Sequence, residues 1–182
     1  NDSSKAFSNP TVYIMNTKFE ANATQFLFGG YDTGKMKQVA YKSTQSCQTA
    51  PTQCQDNGYP ASYICADQPN QNEGILCKPP CNIPTSGRFT ISQDCIQATQ
   101  ITVVDFLEVV GIPSADGRLP KVHGGGSNRF FYVRGELVLE SLELTGGIAM
   151  DGHGGGYTGG ALFVVMHGFA KLENCALMKN LA

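Results

Sequence analysis

Residues 130–144, which read FFYVRGELVLESLEL, and residues 162–177, which read LFVVMHGFAKLENCAL, follow one pattern. When the two stretches are aligned at an offset of 33 residues, glycine falls on glycine, leucine on leucine and glutamate on glutamate. A pattern that recurs at a fixed offset of this size is typical of repeat architectures. The aligned pairs are Gly135 with Gly168, Leu139 with Leu172, Glu140 with Glu173, Leu142 with Cys175, and Leu144 with Leu177.

Within each copy, apolar residues alternate with polar ones, which is the period of a half-buried β-strand and not of a helix. The alternation slips by one residue at Ser141 and at Asn174 and then resumes, as it does when a strand turns a corner and continues. Between the copies lies a glycine-rich segment, residues 151–160, which cannot bury a side-chain core. The pattern therefore predicts a β-solenoid, a stack of strand circuits that we call rungs.

A third copy of the pattern lies near the start of the chain, where residues 11–22 read TVYIMNTKFEAN. We therefore expect solenoid rungs on both sides of the middle of the chain. The aligned pairs are Asn16 with Asn174, Thr17 with Cys175, Phe19 with Leu177, and Asn22 with Asn180.

Two short motifs add a family resemblance. Residues 159–162, GGAL, followed by residues 177–180, LMKN, resemble the GGA[ILV] and FxxN repeat pair of chlamydial polymorphic membrane proteins, and residues 19–22, FEAN, match the second motif more closely. Similar repeats occur in adhesin-like and algal extracellular proteins of the pectin-lyase-like class. The resemblance covers roughly residues 99–182 and, more weakly, 10–30. It implies an all-β fold, the right-handed parallel β-helix, and does not fix an activity.

Composition excludes two classes of protein. Charged residues make up 15% of the 182-residue chain and the formal net charge is −2, whereas a nucleic-acid-binding protein needs a basic face. The longest apolar runs, such as residues 161–166, have the length of a strand, so we predict no transmembrane segment.

Six cysteines lie close together in a segment rich in Gln, Pro, Asn and Gly, which has too few large apolar residues to hold itself together. We predict that they form disulfides, with fifteen possible pairings, in an oxidising compartment. A zinc site is a weaker alternative, because the CxxxC motif has no second pair at a matching spacing. Cys175, at an inward repeat position, is expected to be a free, buried thiol. The six candidates are Cys47, Cys54, Cys65, Cys77, Cys81 and Cys95.

These observations divide the chain into three parts. Residues 1–46 are expected to form β-helix-type rungs, and residues 47–95 a Cys-rich, disulfide-stapled, irregular insertion. Residues 96–182 are expected to begin a β-helix that continues beyond the end of the chain.

Two Asn-x-Ser/Thr sequons, at Asn1 and Asn22, are glycosylation candidates. Asn22 is also the last residue of the repeat motif, where an Asn side chain is suited to hydrogen-bonding backbone at a corner. The two roles compete, and the sequence does not choose between them.

Residues 29–35 spell GxxxxGK, but Met36 follows where a nucleotide-binding P-loop needs Ser or Thr, and no amphipathic helix comes next. We therefore predict a loop here and no cofactor.

No catalytic or metal site is predicted. Glu140 and Glu173 share a repeat position, which would stack them on neighbouring rungs, but this position is also the polar side of a corner. The candidate aspartates, Asp94, Asp105, Asp116 and Asp151, share no repeat position. Nothing in the sequence brings together the candidate bases Arg118, Lys121, Arg129 and Arg134. His153 and His167 lie near glycines, where a lone His is a weak indication of a metal site.

The sequence thus favours a non-catalytic, extracellular or cell-surface structural or adhesive module, part of a filament, surface array or larger assembly. Self-association or a larger protein assembly, and carbohydrate, are the expected partners. Two alternatives stay open: a polysaccharide lyase or glycosidase of the β-helix class, and an accessory subunit of a large extracytoplasmic complex.

Overall fold

A computed structural model describes residues 10–19, 52–67, 75–125, 128–148 and 160–180. Most of the regular structure is β-strand, as predicted, and the one helix in this part of the chain has four residues. The elements are β1 (Thr11–Met15), β2 (Lys18–Phe19), α1 (Gln53–Asp56), β3 (Ile64–Asp67), β4 (Ile75–Lys78), β5 (Gly87–Ile91), β6 (Cys95–Gln97), β7 (Ile101–Val103), β8 (Phe106–Gly111), β9 (Lys121–Gly124), β10 (Phe131–Val133), β11 (Glu136–Glu140), β12 (Glu143–Thr145), β13 (Leu162–Val164), β14 (Phe169–Glu173) and β15 (Ala176–Met178).

Three parallel sheets contain most of these strands. Sheet A has the order β1-β14-β11-β8-β5, sheet B the order β2-β15-β12-β9-β6, and sheet C the order β13-β10-β7. From β7 onward the chain visits sheets C, A and B in turn and repeats that circuit through β15. Strands β3 and β4 form a separate antiparallel hairpin.

The register of the sheets reproduces the alignment of the sequence copies. Leu139 pairs with Leu172 and Glu140 with Glu173 in sheet A, and Leu144 pairs with Leu177 in sheet B. This agreement has a physical cause, since a slip of one residue would turn every inward side chain of a strand outward.

The first copy joins the same ladders. Ile14 pairs with Leu172 in sheet A, and Phe19 pairs with Leu177 in sheet B. Strands β1 and β2 therefore lie on the far side of β14 and β15 from β11 and β12, as the last described strands of their sheets.

The predicted slips in the alternation are corners between sheets A and B. Ser141 and Asn174 have φ values of 55° and 52°, and Asn16, at the same position of the first copy, has 46°. Asn adopts this left-handed conformation more readily than most residues. The N–H of Ser141 donates to the carbonyl of Glu173 over 2.9 Å, and the N–H of Asn174 donates to that of Met15 over 3.0 Å. Each corner is thus hydrogen-bonded to the next one.

Inward side chains of the sheets form one continuous apolar core. Alternate residues of β8, β11 and β14 are buried, so that a leucine or valine on one strand lies beside a leucine or alanine on the next. Burial of each large side chain contributes about 1.5–3 kcal/mol. The inward residues of these three strands are Leu107, Val109, Leu137, Leu139, Ala170 and Leu172.

Disulfides hold the segment that precedes β7. Cys54 of α1 is bonded to Cys77 of β4, and Cys81 is bonded to Cys95 of β6. Cys65 is also disulfide-bonded, which agrees with the disulfide framework expected from composition. Cys47 lies outside the described residues. Cys175 is free and buried, as expected.

Strands β5 and β6 lie within or at the edge of the 47–95 range that composition assigns to the Cys-rich insertion, yet they belong to sheets A and B. In the part of the chain that the structure describes, no helix has the length and hydrophobicity needed to cross a membrane.

Candidate functional site

A groove of about 670 Å³ runs along the outer face of sheet B. Its lining includes Lys18 of β2, Ala176 and Met178 of β15, and Ala66 and Leu76 of the β3–β4 hairpin. The outward residues of β9 and β12 also line the groove, and we call them its floor. The floor residues are Lys121, His123, Glu143 and Thr145.

These four side chains face outward because strand alternation buries their neighbours Val122, Gly124 and Leu144. Parallel pairing then sets Lys121 beside Glu143 and His123 beside Thr145. The Lys121 ammonium lies 2.9 Å from a Glu143 carboxylate oxygen, so that the two charges compensate each other.

Asp94, between β5 and β6, contacts two cationic side chains and one backbone N–H group. Its carboxylate accepts two hydrogen bonds from the Arg118 guanidinium, over 3.0 and 3.1 Å, and one from the backbone N–H of Lys121 over 3.0 Å. Lys78 of β4 lies 3.9 Å away. Burial acts to raise the pKa of Asp94, but the N–H of Lys121 and the guanidinium of Arg118 outweigh it, and the pKa is lowered.

His123 is a floor residue whose pKa is shifted. Burial lowers its pKa, and the nearby Lys121 and Lys78 lower it further, against the opposite effect of Asp94 and Glu143. The imidazole is therefore neutral at pH 7, and can both donate and accept a hydrogen bond.

The pKa of Asp94 does not match that of the general acid of a glycosidase. A glycosidase requires a carboxylic acid whose pKa is raised, so that it can protonate the leaving group. The pKa of Asp94 is instead lowered and its carboxylate is held by a guanidinium, which keeps it ionised.

Glu140 and Glu173, the carboxylates that share a repeat position, are neighbours on the outer face of sheet A. The ammonium of Lys171 lies 2.7 Å from a carboxylate oxygen of Glu173. Hydrogen bonding to Glu173 raises the pKa of Lys171, which therefore stays charged and offsets the repulsion between the two glutamates.

The structure brings together some sequence candidates and separates others. Arg118 and Lys121 contact Asp94, which is 24 or more residues from each of them in sequence, and no repeat or motif predicts this cluster. Arg129 is buried, with its guanidinium 4.9 Å from the centre of the Phe163 ring, and Arg134 is exposed after β10.

Among the described residues, no group of three or more His, Cys, Asp or Glu side chains could hold a metal ion. Four candidates lie outside these residues: Asn1, Asn22, Asp151 and His153.

The outer edge of β1 is the second notable surface. Tyr13, Ile14 and Met15 are 56%, 41% and 43% exposed. Ile14 is in register with Leu172, which is fully buried, so it occupies an inward position. Among the described strands, only β14 pairs with β1. The edge of β6, which is the last strand of sheet B at the other end of the stack, is covered. The backbone of Pro79 and of Cys81 hydrogen-bonds to the backbone of Ile96 in β6.

Comparison of the chain with protein-family models, with curated proteins and with solved structures gives no match.

Proposed function

We propose that the three parallel sheets are the faces of a right-handed parallel β-helix. Support comes from the repeated C–A–B circuit, from the register that carries like residues onto like residues, and from the left-handed corners at Asn16, Ser141 and Asn174. A right-handed path is the strong preference of parallel strand connections within a sheet, because strands have a right-handed twist.

We further propose that the chain is a non-catalytic structural or adhesive module of an extracellular or cell-surface assembly. The observation that carries this proposal is the exposed, apolar edge of β1, where Ile14 lies at a core position and no other described strand pairs on its outer side. The disulfides of the Cys54–Cys77 and Cys81–Cys95 pairs are compatible with an oxidising compartment.

Within the described part of the chain, β1 lacks the features by which proteins usually prevent edge-to-edge pairing. Such protection relies on charged side chains, proline, bulges or a covering element. Residues 11–15, TVYIM, contain no charge and no proline, and β1 is the last described strand of sheet A. An extended strand of a partner can therefore add to this edge by main-chain hydrogen bonds, with Ile14 as an apolar anchor.

The test is the native mass of the protein, kept unreduced, over a range of concentrations. The wild type is expected to associate, and Ile14→Lys to weaken association at least about tenfold, because a lysine ammonium would be buried at the contact. Thr90→Lys is the matched control, since Thr90 is exposed on β5 at the other end of sheet A.

Met15→Lys repeats this test at an outward position, which removes an effect on folding as an explanation. A wild type that stays monomeric at every concentration, or lysine variants that associate as tightly as the wild type, would overturn the proposal.

A polysaccharide-binding or polysaccharide-cleaving role is the second candidate, favoured by the groove on sheet B. Its floor combines an ion pair with a neutral imidazole and a hydroxyl, groups that can hydrogen-bond to sugar hydroxyls. A glycan array and product analysis test this role. Binding that His123→Ala and Thr145→Val abolish would support it, and the release of sugar products would show cleavage.

A further inference from the structure

Strands β1 and β2 are joined to the other described strands through a single interface. β1 pairs with β14 and β2 pairs with β15, and the N–H groups of Thr11 and Lys18 donate to the carbonyls of Gly168 and Cys175 over 3.1 and 2.8 Å. The rings of Tyr13 and Phe169 lie 5.6 Å apart across the same interface.

This interface copies one that already exists inside the stack. Leu172 pairs with Leu139 on one side and with Ile14 on the other, and Leu177 pairs with Leu144 on one side and with Phe19 on the other. The surface of β14 and β15 therefore accepts this strand pair through the repeat register alone. The β1–β2 pair of a second copy would fit it equally well.

The connection that follows β2 is long enough in sequence to reach a neighbouring copy. Residues 20–52 lead from Phe19 to α1, whose Cys54 is bonded to Cys77 of β4, and Pro80 soon after β4 pairs with Ile96 of β6. Strands β2 and β6 are at opposite ends of sheet B, four strand spacings apart, or about 19 Å. A chain of this length can reach up to about 110 Å.

We propose that copies of this chain join by strand exchange, with the β1–β2 pair of one copy seated on β14 and β15 of a second copy. The inference rests on the self-association proposed above and names a second copy as the partner, but it uses the inner edge of β1, which pairs with β14, and not the outer edge. Reciprocal exchange closes a two-fold dimer, whereas exchange in one direction links copies head to tail into a chain.

The energetics set the conditions for this exchange. It replaces one interface by an identical one, so its extent depends on the concentration of copies relative to that of the tethered strand pair. For a tether this concentration is on the order of 1 mM. Exchange is therefore expected where copies are crowded together, as in an array, and is expected to be scarce in dilute solution.

Position-specific disulfides test the exchange. Tyr13 and Lys171 are outward neighbours on β1 and β14, and the spacing of paired strands lies within the reach of a disulfide. The single variants Tyr13→Cys and Lys171→Cys are mixed at about 1 mM total concentration and oxidised mildly. We expect a covalent heterodimer whose bond, located by peptide mapping, joins positions 13 and 171.

Two controls make each result decisive. The double variant should close the same bond within one chain in dilute solution, which establishes that β1 lies beside β14. Tyr13→Cys mixed with Thr90→Cys, an exposed position on β5, should give at least about tenfold less heterodimer.

Equal linkage to positions 90 and 171 would mean random collision and would overturn the proposal. The proposal would also be overturned if the double variant forms the 13–171 disulfide within one chain while the mixed single variants form no heterodimer. A double variant that does not form this disulfide would overturn it as well. The native mass of Ile14→Lys reports on the outer edge of β1, whereas linkage to position 171 reports on its inner edge. If the cross-linked heterodimer does not form but Ile14→Lys still weakens association, strand exchange is wrong and the proposed function stands.

Discussion

The hydroxyl of Thr17 and the thiol of Cys175 make equivalent hydrogen bonds on neighbouring strand circuits. Thr17 Oγ1 lies 2.9 Å from the carbonyl oxygen of Met15 and 3.4 Å from that of Leu172. Cys175 Sγ lies 3.3 Å from the carbonyl oxygen of Glu173 and 3.5 Å from that of Leu139. Met15 pairs with Glu173, and Leu172 pairs with Leu139. The side chains of Thr17 and Cys175 therefore bond to equivalent carbonyl groups, one strand circuit apart.

Cys175→Thr should therefore be tolerated, with a loss of less than about 1 kcal/mol in the free energy of unfolding. Cys175→Leu, which copies Leu142 of the preceding circuit, should lose about 1–3 kcal/mol because extra methyl groups must fit into a packed site. Urea denaturation of both variants measures these losses. A threonine variant less stable than the leucine variant would contradict the equivalence.

Asn180→Ala should lose about 1–3 kcal/mol of stability. The buried Asn180 amide donates to the carbonyl of Leu144 over 3.0 Å and accepts the N–H of Gly147 over 2.9 Å, and alanine leaves both backbone groups without these bonds. Asn128→Ala is the control, because its amide makes an exposed hydrogen bond to Ala98 and should lose no more than about 0.5 kcal/mol. Similar losses in urea denaturation would show that the buried amide has no special role.

Gly111→Ala should destabilise the protein by about 2–4 kcal/mol through a steric clash. A β-carbon at this position would lie 2.0 Å from the backbone oxygen of Ser141, which is itself at a corner and cannot move freely. Gly117→Ala has open space, and should lose only the roughly 1–2 kcal/mol of a left-handed non-glycine residue with φ near +80°. The order of the two melting temperatures checks this prediction, and the reverse order would refute it.

Acid should weaken the protein through Asp94. The pKa of this carboxyl group is lowered in the folded state, so its stabilisation is present above the unfolded value of about 3.9 and is lost as pH falls through the folded pKa. Asp94→Asn should lose about 1–2 kcal/mol at pH 7 and flatten the fall in stability below about pH 4.

Asp116→Asn is the comparison for that measurement. Asp116 also has a lowered pKa, but its carboxylate is exposed on a loop, so solvent screening should make the effect of this variant smaller than that of Asp94→Asn. Denaturation curves between pH 2 and 7 compare the variants. An unchanged acid limb in Asp94→Asn would exclude this carboxyl group as a cause.

Much of the fold follows from the sequence because alternation with a period of two leaves few registers open. Leu139, Leu172 and Ile14 must all face the core, and any slip of one residue would expose them. The slips at Ser141 and Asn174 likewise predict the corners, since an extra residue must be placed where one sheet ends and the next begins.

The candidate site did not follow in the same way. The groove needs Ala66 and Leu76 opposite β9, and their position depends on which cysteines pair, a choice among fifteen that spacing does not make. The Asp94–Arg118 contact joins residues 24 apart in loops without periodicity. The alignment of the first copy with the last predicts that the two form similar strands and corners. It does not predict that β1 packs directly on β14.

That packing is the central claim, and methyl–methyl nuclear Overhauser spectroscopy of dilute protein tests it most directly. If β1 completes the stack in repeat register, the methyl groups of Ile14 should contact those of Leu172, as those of Leu139 do on the other side. A Leu139–Leu172 contact without any Ile14–Leu172 contact would contradict the claim, because it would leave the internal stack intact and remove β1 from its end.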